Sequence, residues 1–405
     1  MPIGDTRYCR VLKKLKKSDS LKKILFVTSA LGIGGMERVL VDIANALVDK
    51  NFDVTILTYI KNEGDSWIVD LDGRVHFIYK KNREFPVRER LPYVHRYYKK
   101  NKLLWETRAS AKELYKYYVG NKSRYDVEIA FCRGMAVKIV SGSTNKKSVK
   151  LNWIHNDYTL VDPKTITASF NNMEEAKEAY KAFDKIVAVS NQAKEKFIEV
   201  IGYKEKVVTI YNMLPIQAIL SKSEKPCPVE KCRFTVISVA RLIPAKGYDT
   251  LLRAVKRLVN DGYDFDLWLV GRDFGTEYNL SLREYVSKNH LENVKFLGNQ
   301  MNPYCFMKQA DLYICSSWRE GFSISVAEAM CCGLPVISTN CTGPTEILDN
   351  GKYGILINYN EDEMYIALKR VLDNPADLDS YREKSIQRSK FFSSERIIEE
   401  IIDLF

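Results

Sequence analysis

Histidine is scarce in this 405-residue chain. There are four, at His76, His95, His155 and His290, and no two stand at metal-ligand spacing, which argues against a zinc site. Cysteine carries no pattern. Nine are scattered without a C-x-x-C pair, and Cys331-Cys332 sit together in an apolar stretch, as reduced core thiols of a cytoplasmic protein do. Long apolar runs are missing. The longest, around "KILFVTSALGIGG", is broken by small and polar residues and falls short of the ~20 residues that a membrane span needs. The first 23 residues carry eight Lys/Arg and no continuous apolar core, which argues against a secretory leader. Acidic residues are in deficit in one half only: residues 1–210 hold 39 Lys/Arg against 25 Asp/Glu, and the remainder 23 against 26. The excess positive charge therefore belongs to the N-terminal half and points it at an anionic partner, membrane or nucleic acid.

What is present is a globular profile, 46% hydrophobic and 28% charged, at a length that suits two domains. Two stretches share one plan. "KKILFVTSALGIGGMERVLVDIANALVDKNFDVTILTY" reads as a strand from Ile24 to Thr28, a glycine loop, a helix over 35–50 and a second strand. Val39, Leu40, Ile43, Ala44 and Leu47 give that helix its apolar face. "FTVISVARLIPAKGYDTLLRAVKRLVNDGYDFDLWLVG" repeats the plan, with strands at 234–239 and 265–270 around a helix at 250–259. Further strand-like runs fall at 127–131, 151–154, 185–189, 294–297, 312–315 and 335–338. Strands alternating with helices predict an α/β architecture: two Rossmann-like parallel-sheet domains facing across a cleft. The N-terminal domain is expected at 1–212 and the C-terminal domain at 231–385. Three of the twelve prolines fall in 215–228, which suggests a linker at 213–230. Residues 386–405 read as a C-terminal helix packing back on the N-terminal domain.

The stretch "WREGFSISVAEAMCCGLPVIS" (318–338) concentrates chemistry. A strand at 312–315 runs into a loop, and a helix begins near Ser323. Free N–H groups at a helix N-terminus, with about half a positive charge, suit a phosphate. Gly321 allows close backbone approach and Ser323 is placed to cap the helix. Glu320 and Glu328 flank its start with seven residues between them; carboxylates accept paired hydrogen bonds and suit sugar hydroxyls or a ribose diol. In "SVARLIPAKGYDTLL", Arg241 follows a strand and Lys246 lies five residues on. Both are placed to neutralise phosphate charge.

Together these motifs resemble glycosyltransferase family 4, retaining enzymes of the GT-B fold. The resemblance rests on Glu320-x7-Glu328, the Arg241…Lys246-Gly247 loop and the Gly34-Gly35-x-Glu37 loop after the first strand. "IYNMLP" around Asn212 and "CTGPTEIL" near residue 345 add to it, and it spans about 22–375. It implies that Arg241 and Lys246 bind the donor diphosphate, Glu328 the ribose and Glu320 the transferred sugar. Gly321, Phe322, Ser323 and Ile324 would touch phosphate or sugar, Gly34 and Gly35 would line the cleft, and Gly271 would belong to the donor pocket. His155, in "WIHND", corresponds to the family's active-site histidine. The chain departs from the family in reading Gly343-Pro344 for a Gly-Gly turn, which removes one N–H, and "VGRDFG" (270–275) for a Gly-Asp-Gly.

The resemblance further implies metal-independent transfer with front-face attack, the leaving phosphate taking the acceptor proton. No metal or other cofactor is expected beside the nucleotide-sugar co-substrate, UDP being favoured. In this fold the basic N-terminal domain takes the glycan acceptor, and a polyprenyl-linked acceptor at the inner leaflet would account for its charge. Tyr8, Val11, Leu12 and Leu15 share one helical face among lysines, and "FPVRERLPYVHRYYKKNKLLWETR" (85–108) mixes aromatics with cations; both suit an anionic membrane surface. A protein or a soluble sugar remains open as acceptor. Two other classes fit less well. A dinucleotide oxidoreductase would need the third glycine of G-x-G-x-x-G, absent from "LGIGGMERV", and an acidic residue after "ILTY". A nucleic-acid binder would leave residues 234–346 without a role, and no nucleic-acid motif is present. The localisation expected is cytoplasmic, peripheral on the inner face of the membrane.

Overall fold

The computed structural model describes residues 21–32, 34–60, 67–80, 109–120 and 125–405. The basic segments at 1–20 and 85–108 lie outside the described residues.

Two parallel sheets form the frame. The first contains β1 (Lys23–Thr28), β2 (Asp53–Thr58), β3 (His76–Tyr79), β4 (Val127–Ala130), β5 (Val149–Ile154), β6 (Lys185–Ala188) and β7 (Val207–Thr209), in the order β3-β2-β1-β4-β5-β6-β7. The second contains β8 (Thr235–Val239), β9 (Asp266–Val270), β10 (Val294–Gly298), β11 (Leu312–Cys315), β12 (Val336–Thr339) and β13 (Ile355–Ile357), in the order β10-β9-β8-β11-β12-β13. Both are doubly wound, and each reverses direction between its first and fourth strands, the place where such sheets hold ligands.

Burial explains why these runs are strands. Ile24, Leu25, Phe26 and Val27 are fully buried, as are Leu267, Trp268 and Leu269; parallel strands covered on both faces read as continuous apolar runs. The helix Gly35–Asp49 turns its Val39–Leu47 stripe into the core and ends where Asn51 takes a left-handed φ of 63°. Helix Tyr248–Asn260 buries Leu251, Leu252, Val255 and Leu258 in the same manner.

The chain crosses between the domains twice, side by side. Residues 213–230 contain a helix, Ile216–Ser223, where the sequence suggested plain linker. It is held by contacts distant in sequence: Asn302 Nδ2 donates to the Lys222 carbonyl at 2.8 Å, and Lys308 pairs with Glu224 at 3.2 Å. The return crossing comes at Lys390–Ser393, where Leu214 N–H donates to the Phe392 carbonyl (2.7 Å) and Ser394 N–H to the Leu214 carbonyl (3.0 Å). Helix Asp379–Ser389 still belongs to the second domain, with Arg388 donating to the carbonyls of Glu346 and Ile347 at 2.8 Å. Helix Ser394–Ile402 lies on the first domain, joined by the Lys50–Glu399 ion pair, with Phe405 edge-on to Phe52 at 5.6 Å just beyond it.

Contacts also cross the cleft. Glu346 accepts from the N–H groups of Asn191 (2.9 Å) and Gln192 (2.6 Å) and from the Tyr211 hydroxyl (3.0 Å). A carboxylate of the second domain thus caps helix Asn191–Val200 of the first. Ser190 Oγ donates to the Gly321 carbonyl at 3.0 Å, and Arg319 to the Leu160 carbonyl at 2.9 Å.

Candidate active site

A cavity of about 1010 Å³ lies between the domains. Its walls are loops at the carboxyl ends of β1, β4, β5, β8, β9 and β11. His155, Arg241, Lys246, Gly34, Gly35, Gly271, Glu320, Gly321, Phe322, Ser323, Ile324 and Glu328 all line it. The structure therefore brings every sequence candidate to one place.

Glu320 is tied to the β8 loop. Its Oε1 accepts from Lys246 Nζ at 2.5 Å and from Ser317 Oγ at 2.8 Å. The carboxylate that would take sugar hydroxyls and the ammonium that would take phosphate are one half-buried ion pair. The two loops are also stitched through Ser316 Oγ, which donates to the Lys246 carbonyl (2.7 Å), and Trp318 N–H, which donates to the Ala245 carbonyl (3.1 Å). Arg241 lines the same cavity, is exposed and has no carboxylate within ion-pair distance among the described residues.

Ser323 does not cap the helix. It stands at the N-cap position of Ile324–Cys331 with φ 68° and makes no side-chain cap bond. Its hydroxyl lies instead 3.5 Å from Glu320 Oε1. The left-handed backbone of a non-glycine residue is strained by about 1–2 kcal/mol. The N–H groups of residues 321–325 have no backbone or side-chain acceptor among the described residues. Five unpaired donors at a helix start are an anion cradle.

Glu328, inside that helix, is half-buried and accepts from the Tyr304 hydroxyl at 2.7 Å. Burial pushes its pKa up to about 7, with the Tyr304 hydrogen bond and Arg38 opposing. Its charge state therefore changes near neutral pH. Gly271 leaves no room for a side chain: a Cβ there would meet the Ala240 carbonyl at 1.8 Å.

The N-terminal wall is equally built. Trp67 Nε1 donates to the Gly34 carbonyl (3.2 Å), and its ring lies 5.0 Å from the Arg38 guanidinium, which Asp42 and Asp70 hold at 3.0 and 2.6 Å. Glu37 folds back on Gly34, its Oε2 only 2.2 Å from where a Gly34 Cβ would stand. Burial raises the Glu37 pKa, while its own backbone hydrogen bond and the Arg241 charge lower it. His155 Nε2–H donates to the Phe131 carbonyl at 3.0 Å, and the ring packs 4.7 Å from Phe131. Burial drives its pKa down to about 4, against the Phe131 hydrogen bond, so the ring is neutral at pH 7. The two walls meet at its backbone: a Cβ on Gly321 would lie 1.9 Å from the His155 carbonyl oxygen.

Sequence reasoning did not single out Tyr304, Trp67 or Arg133 as site residues, and named Glu37 only within its motif. Arg133 follows the end of β4, and the strand-end rule that picked Arg241 applies to it equally.

The architecture is that of GT-B glycosyltransferases: two doubly wound domains with a deep cleft between their strand carboxyl ends. Residues 221–390 match the family model for glycosyl transferases group 1. The chain is 32% identical over 263 residues to an uncharacterised glycosyltransferase of Methanocaldococcus jannaschii, covering 55% of this chain and 64% of that one. It is 25% identical over 383 residues to the N-acetylgalactosamine-N,N'-diacetylbacillosaminyl-diphospho-undecaprenol 4-alpha-N-acetylgalactosaminyltransferase of Campylobacter jejuni, covering 93% and 97%. Among solved structures it resembles HepE of Anabaena, crystallised with UDP and glucose, at a TM-score of 0.70 and 20% identity over 94% of this chain and 98% of that one. No described helix is long and apolar enough to cross a membrane.

Proposed function

We propose that the protein is a retaining glycosyltransferase of family 4 type. It moves a hexose or N-acetylhexosamine from a UDP-sugar to a glycan acceptor, without a metal ion. The observation that carries this reading is the meeting in one cavity of Arg241, Lys246, the unpaired N–H groups of 321–325 and the carboxylates Glu320 and Glu328.

The diphosphate sits at the start of helix Ile324–Cys331. Arg241, Lys246 and the free amides take the charge that develops on the leaving phosphate, which is the main electrostatic demand of the reaction. Lys246 and Glu320 exchange their mutual ion pair for phosphate and sugar hydroxyls respectively. Glu328, as the carboxylate, accepts from the ribose diol, with Tyr304 fixing its orientation. His155, neutral and anchored through Nε2–H, offers its backbone and ring beside the reacting carbon; it stays uncharged and leaves the acceptor proton to the departing phosphate. The protein's work is positioning and charge stabilisation.

UDP as the nucleotide is supported by the UDP complex of the structurally similar HepE, and a lipid-linked acceptor by the name of the Campylobacter relative. Surface-polysaccharide synthesis at the inner membrane face fits both. The test is a thermal-shift screen with UDP, GDP and their sugars. A ligand at a hundred times its Kd adds about 2.7 kcal/mol, a rise in Tm of several degrees. UDP and one UDP-sugar should give it. No shift with any nucleotide would end the proposal, and a proton NMR spectrum of the product showing an inverted anomeric centre would end the retaining part.

A further inference from the structure

Four arginines line the cavity, and only Arg38 has a carboxylate partner among the described residues. Arg241 and Arg272 belong to the C-terminal wall. Arg133 belongs to the N-terminal wall, in the loop after β4, half-buried beside His155 and Tyr158. A smaller cavity of about 330 Å³ adjoins the first, and Arg133, Thr165, Arg241 and Lys246 line both. Three acidic residues line this smaller cavity, and each is engaged elsewhere, Glu320 with Lys246 Nζ and Ser317 Oγ. Asp157 accepts from Thr159 N–H (2.9 Å), Thr159 Oγ1 (2.6 Å) and Thr342 Oγ1 (3.2 Å), and Asp162 accepts from Lys164 N–H (2.8 Å). Thr165 and Ser169 line the same cavity as Arg133, and their hydroxyls have no hydrogen-bond partner among the described residues.

A guanidinium facing a cavity without a counter-ion is a site waiting for an anion. The donor diphosphate is already met from the opposite wall. We infer that Arg133, with the hydroxyls of Thr165 and Ser169, binds a phosphate group of the acceptor. The substrate class that follows is a phosphorylated acceptor whose phosphate lies close to the hydroxyl that is glycosylated. A guanidinium fork and two hydroxyls approach from different directions, which the three tetrahedrally set terminal oxygens of a phosphate can meet together while the two oxygens of a carboxylate accept in one plane, so phosphate is the matching group. This rests on the glycosyltransferase reading, because it assigns the two walls to two substrates.

The test uses the full chain saturated with UDP. Inorganic phosphate is titrated by calorimetry, with octyl phosphate and glucuronate as further arms. Phosphate should bind the UDP-saturated protein, and Arg133→Gln should weaken it more than tenfold while leaving the Kd of UDP within twofold. Arg133→Lys, which keeps the charge and loses the fork, should fall between the two. Octyl phosphate binding more tightly than inorganic phosphate places the group on a lipid, and equal binding places it on a soluble sugar. Glucuronate binding as tightly as phosphate would overturn the phosphate assignment. So would equal phosphate binding by wild type and both variants. A rise in the Kd of UDP in Arg133→Gln would return Arg133 to the donor site. If UDP itself does not bind wild type, the glycosyltransferase reading fails first, and this inference falls with it.

Discussion

Glu328 makes donor binding depend on pH in a calculable way. Its pKa is pushed up to about 7, chiefly by burial. At pH 8 roughly nine in ten molecules carry the carboxylate, and at pH 6 roughly one in ten. Only the carboxylate accepts from both hydroxyls of a ribose without donating. The affinity for UDP-glucose, whose phosphates do not titrate in this range, should therefore fall up to tenfold from pH 8 to pH 6, about 1.4 kcal/mol. Tyr304→Phe removes a hydrogen bond that favours the charged form (2.7 Å), so the fall should begin at higher pH. Glu328→Gln should weaken binding at pH 8 by ten- to a hundredfold, the ~1.5–3 kcal/mol of a charged hydrogen bond, and should flatten the profile. Stability runs the other way. The folded pKa is raised, so stability contributed by the protonated form below about pH 4.5 is lost as pH rises towards 7. Calorimetry with UDP-glucose at pH 6, 7 and 8 on the three proteins is the assay. A flat wild-type profile, or a slope that persists in Glu328→Gln, refutes the ribose assignment.

Further outcomes follow from the same geometry. Arg241→Ala should lower kcat/KM by a hundred- to a thousandfold, the usual loss of one preorganised charge donor, with steady-state kinetics as the check. Gly321→Ala puts a methyl where the His155 carbonyl stands 1.9 Å away; it should hold the walls apart, enlarge the radius of gyration in solution scattering and cut kcat more than tenfold. Glu346→Ala strips the cap from helix Asn191–Val200 and leaves the Tyr211 hydroxyl unpaired. It should cost about 1–3 kcal/mol, read as a lower midpoint in urea unfolding, while the Kd of UDP-glucose stays within twofold.

Much of this was legible because buried parallel strands announce themselves. "KILFVT" and "DLWLV" are apolar on both faces, and the helices between them keep a clear stripe. The edge strands His76–Tyr79, Val207–Thr209 and Ile355–Ile357 were not read: they are short and only partly buried, unlike the equally short Leu312–Cys315, whose four residues are all buried. The candidate site was legible at most places where a charge or glycine follows a strand end, Arg133 after β4 being the exception. What escaped depends on contacts far apart in sequence. Tyr304 matters only because helix Ile324–Cys331 brings Glu328 to it, 24 residues on. Glu346 meets Asn191 across 155 residues. Ser323 looks like an ordinary cap, yet it takes a left-handed turn three residues after Glu320, which is paired with Lys246.

The most direct test of the donor site is a crystal structure with UDP bound. The account predicts diphosphate oxygens within about 3 Å of the amides of residues 321–325, Arg241 and Lys246 turned onto them, and the ribose on Glu328. A diphosphate bound away from the start of helix Ile324–Cys331, with the Lys246–Glu320 pair intact and Arg241 still in solvent, would contradict it.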